Sequence, residues 1–213
     1  MTPSRRAPLT RDAVLSAAIA LADAEGLDAV SMRRLAGELG VVPMALYKHV
    51  DDKDDLVTGM VDAVIEGYQV PAGSPTEPWQ DAFTARVRAA RAAVLQHAWL
   101  RRAIESRTVR TPAVLGYMEA LTSIMLAGGL GADLVHHAMH ALGNRIWGFS
   151  PELFNGPAPA RTTAPQPDPG DYPGILAVSA EAQARRPGLG CDEDAEFDFA
   201  LRLILDGVSS RVE

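Results

Sequence analysis

Residues 31–50 read SMRRLAGELGVVPMALYKHV, and the fold turns on how this stretch is read. Ser31 can cap a short helix in which Leu35, Ala36 and Leu39 fall on one face. Gly40 follows where a tight interhelical turn needs the left-handed backbone conformation that glycine adopts without steric cost. A second short helix then begins near Pro43. Leu46 and Val50 anchor it to a core, Val41 fills the angle between the helices, and Ala36 is small where they cross. Pro43, Met44, Ala45, Tyr47, Lys48 and His49 remain on the exposed side or at the start of that second helix. A helix presented in this way fits the major groove of DNA, with its N-terminal residues at base edges.

The flanking sequence supplies the supports such a motif needs. LTRDAVLSAAIALADAEG, residues 9–26, offers Thr10 as N-cap, Asp12 in the first turn and Gly26 as the stop, with Val14, Ala17, Ala18 and Leu21 in one stripe. On the other side Asp52 can cap KDDLVTGMVDAVIEGY, a long helix with Leu56, Val57, Met60, Val61 and Val64 on its apolar face. Lys53 stands at its N-terminus, where backbone amides and an ammonium group together suit a phosphate.

The rest of the chain reads as helices, with no convincing run of strand alternation. A helix starting near Pro78 repeats Trp79, Phe83, Val87, Ala90 and Val94. TPAVLGYMEALTSIMLAGG has Thr111 as cap, Pro112 in the first turn and Gly128 as terminator, and GADLVHHAMHALGNRIWGF ends near Ser150, before Pro151. Residues 155–174 hold six prolines and three glycines, the composition of a linker or mobile loop. In the last segment, DEDAEFDFALRLILDGVSSRV, the early acids favour the helix dipole. Phe197, Ala200, Leu201, Ile204 and Val208 form one stripe, which Phe199, Leu203 and Leu205 widen. A stripe wider than one face suits burial on two sides, by the chain itself and by a second copy, or a helix central to its own domain.

Composition narrows the class. Hydrophobic residues make up 47% and charged residues 22% of the 213, as in a globular protein. No apolar run approaches the roughly 18 residues of a membrane span. The opening MTPSRRAPLTRD has no apolar core behind its arginines, so no secretion signal is expected, and the single cysteine, Cys191, fits a reducing cytoplasm. Residues 1–53 hold seven basic and seven acidic residues, so the whole net charge of −7 lies in the remainder. A neutral front and an acidic body let a polyanion approach one end and repel it from the other.

Residues 9–66 closely resemble the N-terminal domain of TetR-type transcriptional repressors. The likeness is carried by the GLDAVSMRRLA lead-in, the LYKHV of the second helix and the KxxL that opens the third. The remaining layout resembles the tetracycline-repressor branch. The resemblance implies an all-α protein: a three-helix DNA-binding domain with a helix-turn-helix (residues 1–53), then a larger helical ligand-binding and dimerisation domain (54–213). It implies a homodimer on palindromic double-stranded DNA, released by a small-molecule effector, with no membrane association. By position, Arg33 would reach a base edge or phosphate. Pro43, Met44 and Ala45 would face bases, Met44 and Ala45 against thymine methyls, and Tyr47, Lys48, His49 and Lys53 would hold phosphates. Lys48 replaces an aromatic residue of the tetracycline repressors. Those repressors read a magnesium–drug complex with histidines at places that hold Gln69 and Ile104 here, so that complex is not an expected effector.

An apolar or aromatic effector would find Phe83, Trp99, Ile104, Met118, Met125, His140 and Trp147 as candidate lining, because methionine and aromatic side chains adapt to such cavities. His136 and His140 share a helix face with no third ligand in sight, so neither metal nor cofactor is expected. Catalytic signatures are missing too. There is no GxSxG elbow and no phosphate-cradling loop, and GGLGAD is explained as a turn. Cys191 lies among acids that disfavour its thiolate, so an enzyme is not expected. An effector-independent architectural DNA binder and, behind it, a small helical enzyme are the alternatives.

Overall fold

The computed structural model of the 213-residue chain describes residues 8–67, 70, 77–106, 110–146, 169–171, 173–185 and 193–211. Every regular element among them is a helix. They form two compact units, Met1–Val135 and His136–Glu213.

In the first unit α1 (Arg11–Glu25) starts as the sequence implies, with Thr10 Oγ1 accepting from the Ala13 amide at 3.2 Å, and stops at Gly26, whose φ of 85° few other residues tolerate. A 3-10 turn, Leu27–Ala29, leads to α2 (Met32–Leu39), α3 (Pro43–Leu46) and α4 (Lys53–Gly67). Val14, Ala18, Val30, Leu35, Leu46, Leu56 and Met60 are fully buried in one cluster. Each large apolar side chain there contributes roughly 1.5–3 kcal/mol relative to exposure. Four short helices thereby share a core that none of them could supply alone.

The same cluster continues into α5 (Trp79–Gln96) and α6 (Leu100–Glu105) through Ala93, Trp99, Leu100 and Ala103. Next comes α7 (Pro112–Ala127), capped by Thr111 Oγ1 at 3.3 Å from the Val114 amide. α4 packs on α1 and also against α5, α6 and α7, so it joins the front to the body. α5 and α7 meet closely at one point. A Cβ on Gly128 would lie 2.5 Å from Cγ and Cδ1 of Trp79, and Trp79 in turn stands edge-on to buried Phe83.

α8 (Ala132–Ile146) runs into the second unit, which also holds a 3-10 turn (Pro169–Asp171), α9 (Pro173–Arg185) and α10 (Glu193–Ser209). Of the segment expected to be a linker or mobile loop, the described end is helical. Pro173 and Gly174 open α9, because proline is tolerated in a helix's first turn; residues 155–168 lie outside the described residues. On α10, Phe197, Leu201, Leu205 and Val208 are buried, whereas Phe199 and Leu203 are 56% and 57% exposed.

Gly128→Ala should cost about 1–3 kcal/mol, because the rigid indole cannot swing aside as a flexible side-chain tip would. Urea denaturation at unchanged m-value measures it; an unshifted midpoint would mean that Trp79 does not hold α5 against α7.

Candidate nucleic-acid interface

The site is built from a turn outward. Ser31 Oγ accepts from the Arg34 amide at 3.2 Å, which starts α2. Gly40 ends it at φ 60°, ψ 39°, and the Val41 amide reaches back to the Ala36 carbonyl at 2.9 Å. This is the bonding of a glycine-terminated helix end. It redirects the chain so that α3 leaves at an angle, with Leu46 and Val50 buried beneath it and Leu35 and Ala36 meeting them in the same cluster. α3 is one regular turn long. Tyr47, Lys48 and His49 continue it as a turn, in which the His49 and Val50 amides bond the Leu46 carbonyl at 2.8 and 3.1 Å.

The outer side carries the residues the sequence points to. Arg33, Pro43, Met44, Tyr47, Lys48 and Lys53 are exposed, Met44 at 71% and Tyr47 at 45%, while Ala45 and His49 are half-buried. Val42, absent from the sequence-based set, is 68% exposed beside Met44. It had no signal of its own, because a valine before a proline reads equally well as core. Among the described residues, Arg33, Lys48 and Lys53 have no ion-pair partner. Arg34 is held by Glu25 at 2.7 Å and Glu38 at 3.1 Å.

Arg11 is engaged more fully than Arg34. Its Nη1 donates to the His49 carbonyl at 2.6 Å and to Asp55 Oδ2 at 3.0 Å, and its Nη2 donates to Asp55 Oδ1 at 2.8 Å. That hydrogen bonding holds the Asp55 carboxyl below the usual carboxylate range and raises Arg11. Asp55 Oδ2 also accepts from the Asp51 amide at 2.9 Å, and Asp52 Oδ1 caps α4 by accepting from the Asp55 amide at 2.8 Å.

The residues proposed to line an effector site are less gathered. Phe83 and Met125 are buried on α5 and α7, and Met118 is half-buried on α7. Ile104 packs against the front's core cluster. Trp99 is buried in that cluster, and its indole nitrogen donates to Asp23 Oδ1 on α1 at 2.7 Å. The same oxygen lies 2.8 Å from His97 Nδ1. His140 is exposed on α8 with its ring 4.6 Å from that of His136, and Trp147 lies outside the described residues. No group of three or more His, Cys, Asp or Glu among the described residues is placed to hold a metal ion.

A capped helix, a glycine turn and a short helix with a solvent-facing tip define a helix-turn-helix DNA-binding protein. Comparison with known proteins carries this further. Residues 14–60 match the family model described as bacterial regulatory proteins, tetR family, and residues 71–212 match the tetracyclin repressor-like C-terminal domain. The chain therefore belongs to the TetR family of DNA-binding transcriptional regulators. It is 31% identical to the HTH-type transcriptional repressor DrrR1 of Streptomyces coeruleorubidus, over 97% of this chain and 80% of that one. It is 35% identical to the class E tetracycline repressor protein of Escherichia coli, over 43% of this chain and 44% of the other. Among solved structures, the TetR family protein ActR of Streptomyces coelicolor in complex with actinorhodin matches with a TM-score of 0.74 and 27% identity, over 97% and 98% of the two chains. No helix among the described residues is long and apolar enough to cross a membrane.

Asp23→Ala should destabilise the fold by about 1–3 kcal/mol, because the Trp99 N–H stays buried without its acceptor, and Trp99→Phe by only about 1 kcal/mol, because donor and need vanish together. Chemical denaturation of both variants checks the order; equal costs would mean that the Trp99 N–H is otherwise satisfied.

Proposed function

We propose that the protein is a cytoplasmic, homodimeric repressor that leaves a palindromic operator when a small apolar or aromatic molecule enters its helical body. The exposed tip of α3 carries this reading. It sets apolar Val42 and Met44 alongside Lys48 and Lys53, which have no ion-pair partner among the described residues, a combination suited to thymine methyls and flanking phosphates. Arg33, Pro43 and Ala45 complete the base-facing side, and Tyr47 and His49 the phosphate side. Residues 1–53 are the reading domain, and 54–213 the domain for ligand and partner.

The half-exposed apolar face of α10, with Phe199 and Leu203, supports a second copy as the missing partner. The effector reading draws on the likeness to ActR, which was solved with actinorhodin bound, and on Phe83, Met118 and Met125 along the packed α5–α7 pair. Trp99, Ile104, His140 and Trp147 remain candidates at its margins. Coupling would pass through α4, which packs on α1 and on the helices of the body. A small tilt of α4 in each subunit changes the spacing of two reading helices against half-sites fixed by the DNA helical repeat.

Selection of duplexes from random DNA by the purified protein should yield a sequence with two-fold symmetry. Lys48→Ala should then weaken binding to all sequences and reduce the slope of log affinity against log salt by about one; an unchanged slope removes Lys48 from the phosphate contacts. Light scattering at micromolar concentration should report a dimer and Phe199→Glu with Leu203→Glu a monomer, whereas a wild-type monomer would undo the two-half-site reading.

A further inference from the structure

We propose that Arg11 is a positioning residue for DNA recognition: from α1 it fixes the exit of the reading segment without itself touching the nucleic acid. The proposal rests on the reading of α3 as the element that enters the groove.

The need for an outside clamp follows from length. α3 is Pro43–Leu46, one turn, and a helix so short has no stability of its own. Its entry is fixed by the Gly40 turn and its middle by buried Leu46. Its exit, residues 47–52, has no comparable apolar anchor except Val50. Arg11 supplies one in polar form. A single guanidinium bonds the carbonyl of His49 and both carboxylate oxygens of Asp55, and Asp55 bonds the amide of Asp51. α1, the exit turn and the first turn of α4 are thereby tied to one planar group, whose fork geometry lysine cannot reproduce. Lys48 lies just before the tied carbonyl and Lys53 just after the tied amide, so both proposed phosphate anchors depend on this clamp for their spacing.

Two observations argue against direct contact between Arg11 and DNA. Three of its N–H···O contacts are already made within the chain, in fixed geometry. Asp12, Asp51 and Asp55 all act on it electrostatically, so a phosphate would have to compete with three carboxylates for its charge. Charge and positioning then predict opposite signs. If only long-range charge matters, Asp55→Asn, which removes a negative charge near the interface, tightens DNA binding. If Arg11 and Asp55 set geometry, the same substitution weakens it.

The test uses the full-length protein and the duplex it selects from random DNA, at a temperature well below the unfolding midpoint of each variant. Arg11→Lys keeps the charge and loses the fork, and Asp55→Asn removes one acceptor charge; each should weaken binding about tenfold, as expected for loss of a charge-assisted bidentate bond. The salt slope should stay that of the wild type. The proposal is overturned if Arg11→Lys binds like the wild type, if Asp55→Asn binds tighter, or if Arg11→Ala lowers the slope by about one, the mark of a lost phosphate contact. Failure of the wild type to select any duplex would overturn the DNA-reading role of α3 itself, a result distinct from the other three.

Discussion

The left-handed backbone at Gly40 is the constraint on which the exposed surface of α3 depends. At φ 60° a side chain crowds the following carbonyl, at a cost of about 1–2 kcal/mol; with glycine the chain turns tightly enough for Val41 to bond back to Ala36. Once that turn is made, Leu35, Ala36 and Leu46 can all be buried, and the opposite side of α3 has nowhere to go but solvent. Exposed Val42 and Met44 are thus a consequence of the turn and of the core it serves.

What was legible in the sequence is what physics keeps local. Thr10, Ser31 and Thr111 cap their helices because each hydroxyl bonds an amide three residues on, and Gly26 and Gly40 end theirs because each needs positive φ. The buried stripe and exposed shoulder of α10 follow from periodicity in the same way. The six-residue α6 escaped, being too short to display a period, and Pro173 and Gly174 read as loop although they open α9. Contacts between distant residues escaped altogether. Asp23 meets Trp99 across 76 positions and Arg11 meets Asp55 across 44, and neither pair leaves a mark on its own neighbourhood. Trp99 is an instance: its sequence neighbourhood gives no sign that its N–H is committed to Asp23 on α1.

The charge pattern also takes on meaning only with the fold. The front is balanced between acids and bases, and a balanced surface is a poor match for a polyanion. The structure sorts those charges. Arg11 and Arg34 are committed to carboxylates of their own chain, where exposed pairs add about 0–1 kcal/mol to stability but orient the helices that carry them. Arg33, Lys48 and Lys53 are exposed, with no carboxylate partner among the described residues. Neutrality in the sum thus conceals three exposed cations, on α2, just after α3 and at the start of α4, that no carboxylate among the described residues holds in an ion pair.

Two polar connections between front and body, among the described residues, differ in kind, which bears on how a signal could cross. Arg102 on α6 meets Asp28 at 2.9 Å, but the side chains are 70% and 81% exposed, so solvent screening leaves that pair little hold on geometry. Asp23 is different. It receives the indole N–H of Trp99, which is 5% exposed, and lies against His97, within a cluster that includes Leu100 and Ala103 of α6. A displacement of α6 relative to α1 would have to strand a buried donor or carry α1 with it, and the second is the less costly course. The apolar contacts of α4 permit sliding, whereas the directional bonds to Asp23 do not. On the proposed effector reading, the bonds to Asp23 give α1, the helix that carries Arg11, a directional tie to the body beside the packing of α4.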